Sequence, residues 1–108
     1  MDVKEYQDWV VSKMDYSLTH REALAKNGLG ASGEAGEVAD LIKKHLYHGH
    51  QLDRDKLVKE LGDVLWYITS TCHLIEADLN EIMFENKKKL DKRYPNGFDK
   101  EKSINRRD

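Results

Sequence analysis

Apolar residues recur at three- and four-residue intervals from the start of this chain, the period of a helix with one face turned inward. Val3, Tyr6, Val10, Met14 and Leu18 form the first series, opened by Asp2 and Glu5 at the spacing of a capping box. This predicts a first helix that fades within 17–19. Asn27-Gly-Leu-Gly30 reads as a break, and a second helix is expected from Ala31 to Tyr47, stopped by His48-Gly49-His50. Asp53 is the expected N-cap of a third helix running to about Ile75, with Leu57, Leu61, Val64, Leu65, Ile68 and Ile75 on one face. Asp78 and Glu81 repeat the capping-box spacing and open a fourth helix through about Arg93, ahead of a turn at Tyr94-Pro-Asn-Gly-Phe98. Residues 99–108 read as a mobile polar tail. No strand pattern competes. The expected fold is all-α, a bundle subunit of four to five helices in one domain over residues 1–98.

Composition narrows the setting. A chain of 108 residues buries a modest core, so an obligate oligomer is in play from the outset. Charged residues make up 35% and hydrophobic ones 39%, with a single proline, which suits surface-exposed amphipathic helices. The net charge of -2 gives no sign of a nucleic-acid partner. Cys72 is the only cysteine, which excludes an internal disulfide and fits a reducing compartment. No apolar run approaches the ~20 residues of a membrane span, and the N-terminal stretch lacks the basic-then-apolar order of a signal peptide. A cytoplasmic protein with no membrane partner is expected.

Four acids sit where apolar residues belong. With about 100° per residue, Val38, Leu41 and Ile42 define the stripe of the second helix; Glu34 falls inside it and Glu37 at its edge. On the third helix Glu60 borders the apolar face and Asp63 lies further round on the same side. Each pair has three-residue spacing, so its side chains project in nearly the same direction. An acid turned toward a core costs several kcal/mol unless something positive meets it. Antiparallel packing of the two helices would bring all four carboxylates together, and four anions need cations. Hard oxygen donors without thiolate or obligatory imidazole favour Mg²⁺, or Mn²⁺, over zinc, and Mg²⁺ usually implicates a phosphate-bearing substrate. Gly33 and Gly36 flank these acids at about 1 kcal/mol each relative to alanine, so the backbone reads as kept bare for a partner helix or a ligand.

At these residues the sequence resembles a family. Gly33-Glu34-Ala-Gly-Glu37-Val-Ala-Asp40-Leu-Ile-Lys43-Lys44, followed by Lys59-Glu60-Leu-Gly-Asp63-Val-Leu-Trp66-Tyr67-Ile68, is similar to the MazG-like nucleotide pyrophosphohydrolases, whose mark is a Glu-x-x-Glu pair and, after a variable gap, Glu-x-x-Asp. The run from Asn86 through Lys89, Arg93 and Tyr94 to Phe98 resembles the family's C-terminal segment, so the likeness covers about residues 28–98. The resemblance implies a helical subunit that pairs with a second copy into a bundle, as a homodimer or homotetramer. It also implies hydrolysis of a nucleoside triphosphate to the monophosphate and pyrophosphate. Carried over, Glu34, Glu37, Glu60 and Asp63 become the catalytic metal ligands, with one of the first pair also free to orient the attacking water. Asn86, Lys89 and Arg93 become contacts to phosphate or sugar.

The chemistry agrees with that expectation. Metal ions supply both the charge neutralisation and the acidified water that phosphoanhydride hydrolysis needs, and the chain carries neither a nucleophilic triad nor a Walker loop. Asn86, Lys89 and Arg93 share one helical face and suit a phosphate clamp, although a solvated basic face would read the same way. Lys43 is a further substrate candidate, with the helix dipole as a sufficient alternative reason for a cation there. Trp9, Trp66 and Tyr67 read as core before they read as base-stacking platforms. Two rivals stand beside the enzyme: a non-catalytic helical dimer acting as a regulatory or scaffold module, whose acids pair with Lys43, Lys44 and Lys59, and a phosphoribosyl-ATP pyrophosphohydrolase-like activity. A ferritin-like di-metal protein is disfavoured, because no Glu here is followed three residues later by His.

Overall fold

Capping chemistry sets where the helices of this chain begin. The computed structural model describes residues 1–106, folded as α1 (Val3–Lys13), α2 (His20–Tyr47), α3 (Arg54–Leu74), α4 (Leu79–Arg93) and α5 (Lys100–Ile104). There is no β-strand among the described residues, and the all-α expectation holds. Asp2, Asp53 and Asp78 cap α1, α3 and α4 by accepting from the amides of Glu5, Lys56 and Glu81 at 2.8, 3.0 and 2.8 Å. The bounds of α3 and α4 follow the sequence pattern closely.

Three expectations need correction. The first helix stops at Lys13, and Asp15 then folds the connection by accepting from both the amide and the hydroxyl of Ser17, at 2.9 and 2.6 Å. The proposed break at Asn27-Gly-Leu-Gly30 lies inside α2, which begins eleven residues earlier than expected, at His20 instead of Ala31. Its true start is a complete capping box: the Glu22 amide donates to Thr19 Oγ1 at 3.1 Å, and the Thr19 amide donates to Glu22 Oε1 at 2.9 Å. Gly28 and Gly30 cost about 2 kcal/mol between them, and packing along α3 outweighs that. The tail is the third case. Asp99 accepts from the amides of Glu101 and Lys102 at 2.8 and 3.3 Å and starts the short α5; residues 107–108 of the expected tail lie outside the described residues.

α2 and α3 form the principal contact of the chain, with α1 laid against α3 and α4. Gly30 meets Tyr67, Glu34 meets Glu60, and Asn27 and Ser70 line one cleft. Position rises on one helix as it falls on the other, so the two run antiparallel. α1 is fastened by Trp9 edge-on to Trp66, ring centroids 5.5 Å apart, and by Gln7 Oε1, which accepts from the Leu79 amide at 2.8 Å.

The core this makes is thin. The largest side chains buried outright are Val10, Thr69, Cys72 and Ser70, while Leu29 on α2 and Phe84 on α4 stand 76% and 63% exposed. The radius of gyration is 16.8 Å, against about 13 Å for a compact domain of this length. The accessible surface is 8460 Å², where a folded monomer of this mass shows about 6,200 Å². Among the described residues no helix is long and apolar enough to cross a membrane.

The capping box gives a direct check on α2. Thr19→Ala removes the side-chain acceptor and is expected to cost about 1 kcal/mol, read as a lowered urea midpoint. Hydrogen bonds from Thr19 hold the Glu22 carboxyl below its ordinary value of 4.5. A depressed folded-state value contributes stability above the unfolded value and loses it as pH falls. The gap between wild type and Glu22→Gln is therefore expected at neutral pH and closes as acid protonates Glu22.

Candidate metal centre

Side chains three residues apart on a helix share a face, and the antiparallel crossing turns the acidic faces of α2 and α3 toward each other. Glu34, Glu60 and Asp63 come together there: each offers a carboxylate oxygen, and these oxygens lie within 4.8 Å of one another. Glu34 and Glu60 are half-buried and Asp63 is exposed. The fourth predicted acid, Glu37, is exposed and stands outside this group of three, though close enough to act on the charge of Glu34.

The electrostatics are one-sided. The Glu34 carboxyl is held above its ordinary value, first by a hydrogen bond with Glu60, then by desolvation, then by the charges of Asp63, Glu60 and Glu37. All of those charges are negative. Lys43 and Lys44 both turn to Asp40, at 3.4 and 2.9 Å, and draw its carboxyl down. Two carboxylates close enough to share a proton are also close enough to share a cation, and an all-oxygen donor set suits a hard divalent ion.

The other predicted residues are distributed around this centre. Asn86 and Lys89 lie exposed on α4. Arg93, half-buried on the same helix, has its guanidinium carbon 5.6 Å from the centre of the Tyr94 ring. Gly33 and Gly36 were expected to admit a close neighbour, yet within the chain nothing lies within 4 Å of where a Cβ would stand at either. The close approach is at Gly30, where an added Cβ would fall against the edge of the Tyr67 ring. Sequence reasoning missed this glycine as a contact because it was assigned to a break. It also missed Tyr6, whose hydroxyl is raised by burial and then by Asp63, which brings α1 to the edge of the centre. The three-residue step from Val3 to Tyr6 was the available signal, and it was read only as core.

Helices that bring paired acids together across an antiparallel crossing define an all-α carboxylate class. Residues 23–98 match the MazG nucleotide pyrophosphohydrolase domain, and the chain belongs to that family. It is also similar to the Gene 37 protein of Mycobacterium phage L5, 36% identical over 80 residues that cover 70% of each chain. No solved structure matches it.

The raised carboxyl of Glu34 sets a pH signature for the metal-free protein. The folded state holds this proton more tightly than the unfolded one, so the stability linked to it is present at low pH and lost as pH rises through the raised value. With chelator present, Glu34→Gln is expected to melt above wild type at pH 7, and the difference to vanish near pH 4. Thermal melts across that range make the comparison, and equal melting temperatures at pH 7 would show that the repulsion is absent.

Proposed function

We propose that this protein hydrolyses nucleoside triphosphates to the monophosphate and pyrophosphate in a Mg²⁺-dependent reaction, as a housekeeper of nucleotide pools. The observation that carries the reading is the meeting of Glu34, Glu60 and Asp63, where the charges that raise the Glu34 carboxyl, among the described residues, are those of other carboxylates. A scaffold would neutralise such a cluster from within, whereas Lys43 and Lys44 on α2 pair with Asp40. Glu34, Glu60 and Asp63 would hold Mg²⁺, or Mn²⁺, which when bound neutralises phosphate charge and acidifies water. Glu37, the fourth acid of the motif, would accept a proton from the attacking water or complete the ligand set. Asn86, Lys89 and Arg93 would supply phosphate or sugar contacts, with Arg93 suited to two phosphate oxygens at once. Lys43 would join them by giving up an exposed pair with Asp40 that is worth about 1 kcal/mol at most. The family match supports the reaction class, and residues 1–98 would act as the catalytic domain.

Self-association completes this reading. The accessible surface exceeds that of a folded monomer of this mass by about 2,000 Å², the scale that an obligate homodimer buries. Leu61 and Leu65 on α3, with Phe84 on α4, are candidates for the covered face. A homodimer or homotetramer is expected in sedimentation, and Leu61→Lys is expected to shift it toward the monomer.

A pyrophosphate-release screen over all ribo- and deoxyribonucleoside triphosphates with Mg²⁺ tests the activity. Release is expected from at least one, and Glu60→Gln is expected to lower it by at least about 100-fold with the helical circular dichroism unchanged. Omitting Mg²⁺ should abolish it. If the wild-type oligomer released no pyrophosphate from any of them, the hydrolase reading would fall.

A further inference from the structure

The outward side of α2 carries a spacing that packing within the chain does not use. Leu29, Gly33, Gly36, Asp40, Lys43 and Tyr47 follow one another at alternating steps of four and three residues, the period of a helix that packs lengthwise on another helix. At about 100° per residue, this seam lies roughly 130° round the helix from Asn27, Gly30 and Glu34, the side turned to α3. It is open. Leu29 and Tyr47, at its two ends, are 76% and 79% exposed, and nothing in the chain lies within 4 Å of where a Cβ would stand at Gly33 or Gly36. Glycines weaken a helix interior, and no neighbour within the subunit fills the room these two leave. Large apolar residues at the ends, with bare backbone between them, make a surface shaped for a second helix.

The seam is complementary to itself. When a second copy runs antiparallel about a two-fold axis at Val38, residues equidistant from Val38 come face to face. Leu29 then meets Tyr47, Gly33 meets Lys43 and Gly36 meets Asp40. Each end closes on an apolar pair, and each glycine receives the stem of a longer side chain. A parallel pairing would instead oppose Lys43 to Lys43 and Asp40 to Asp40, with glycine facing glycine across a gap. The antiparallel arrangement does bring the two Glu37 carboxylates near the axis on one flank. Lys43 of each copy, opposite Gly33 of the other, stands one turn from that Glu37 and offsets the repulsion by leaving its exposed pair with Asp40. The accessible surface of 8460 Å² exceeds that of a folded monomer by about 2,000 Å². A standard interface, at about 800 Å² per partner, does not exhaust that excess, so α2 has a share beside α3 and α4.

We propose that the outward face of α2 docks a second copy of this chain, the two helices crossing antiparallel over Gly33 and Gly36. Lys43 of each copy then reaches the acidic flank of the other at Glu37. This face is separate from the one on α3 and α4, and it does not depend on the hydrolase reading.

Cross-linking tests the pairing. Leu29→Cys and Tyr47→Cys are made separately in the full-length protein, with the buried Cys72 left in place. Oxidised alone, each variant is expected to stay uncross-linked; co-expressed, the two are expected to form a disulfide-linked dimer on a non-reducing gel. Dimers from either variant alone would mean a parallel pairing and overturn the proposal, as would no cross-link in any of the three. A variant carrying Gly33→Leu and Gly36→Leu tests the face itself. Its new side chains begin in open space and suit a helix better than glycine. Circular dichroism and thermal melting are therefore expected at or above wild type, while the sedimenting mass falls by about half. Lys43→Ala is expected to raise the dissociation constant about two- to fivefold, and adding Glu37→Gln to recover part of that loss; no recovery would remove the Lys43 contact. A wild-type mass for the double glycine variant would overturn the α2 interface, and if Leu61→Lys still lowered the mass, association through α3 and α4 would stand. A monomeric wild type would remove both faces and leave the hydrolase reading to its own screen.

Discussion

Glu34, Glu60 and Asp63 repel one another, and the packing of α2 on α3 holds them together regardless. Like charges separated by a few ångströms cost folding free energy that the rest of the chain must offset. The offset comes from a long antiparallel contact that runs through Asn27 and Ser70, Gly30 and Tyr67, and the acids. The capping box at Thr19 and Glu22 matters because it starts α2 early enough to supply the first half of that contact. A helix beginning at Ala31 would lose the packing on the Asn27 side of the acids. The glycines within α2 belong to the same trade, since they loosen the helix locally while one of them lets α3 come close.

The thinness of the core has the same origin. Most of the apolar stripe on α3 does not face α2, because the side toward α2 carries Glu60 and Asp63. Leu61 and Leu65 are left at the surface, as are Leu29 on α2 and Phe84 on α4. Placing acids on an inward face displaces hydrophobic residues outward, and the displaced residues then need another surface.

How far the sequence carried the structure depended on which signals were local. Asp53 and Asp78 announced their helices because a cap and the apolar series behind it occupy a few consecutive residues. The acidic pairs were legible because their period contradicts the stripe they sit in. Asn27-Gly-Leu-Gly30 misled because propensity is a local quantity, while the contact made there is with Tyr67, nearly forty residues away in sequence. Thr19 was absorbed into the fading end of the first helix, although Glu22 three residues on completes a capping box. α5 escaped because its few residues carry no apolar period, and Asp99 alone marks it. Glu37 was grouped with the other acids by spacing, yet three-residue spacing fixes direction along one helix and leaves distance to the opposite helix open.

The Tyr67 ring against the bare backbone of Gly30 carries a mechanical meaning beyond close packing. The ring is seated over a residue without a side chain, so sliding α2 along α3 by about one turn would drive it into the side chain of Asn27 in one direction and of Glu34 in the other. Glide between the helices is blocked while small rocking remains free. The spacing of Glu34 from Glu60 and Asp63 is then set by the contact between the two helices. The pair of helices therefore behaves as a gauge, with the ring as its stop.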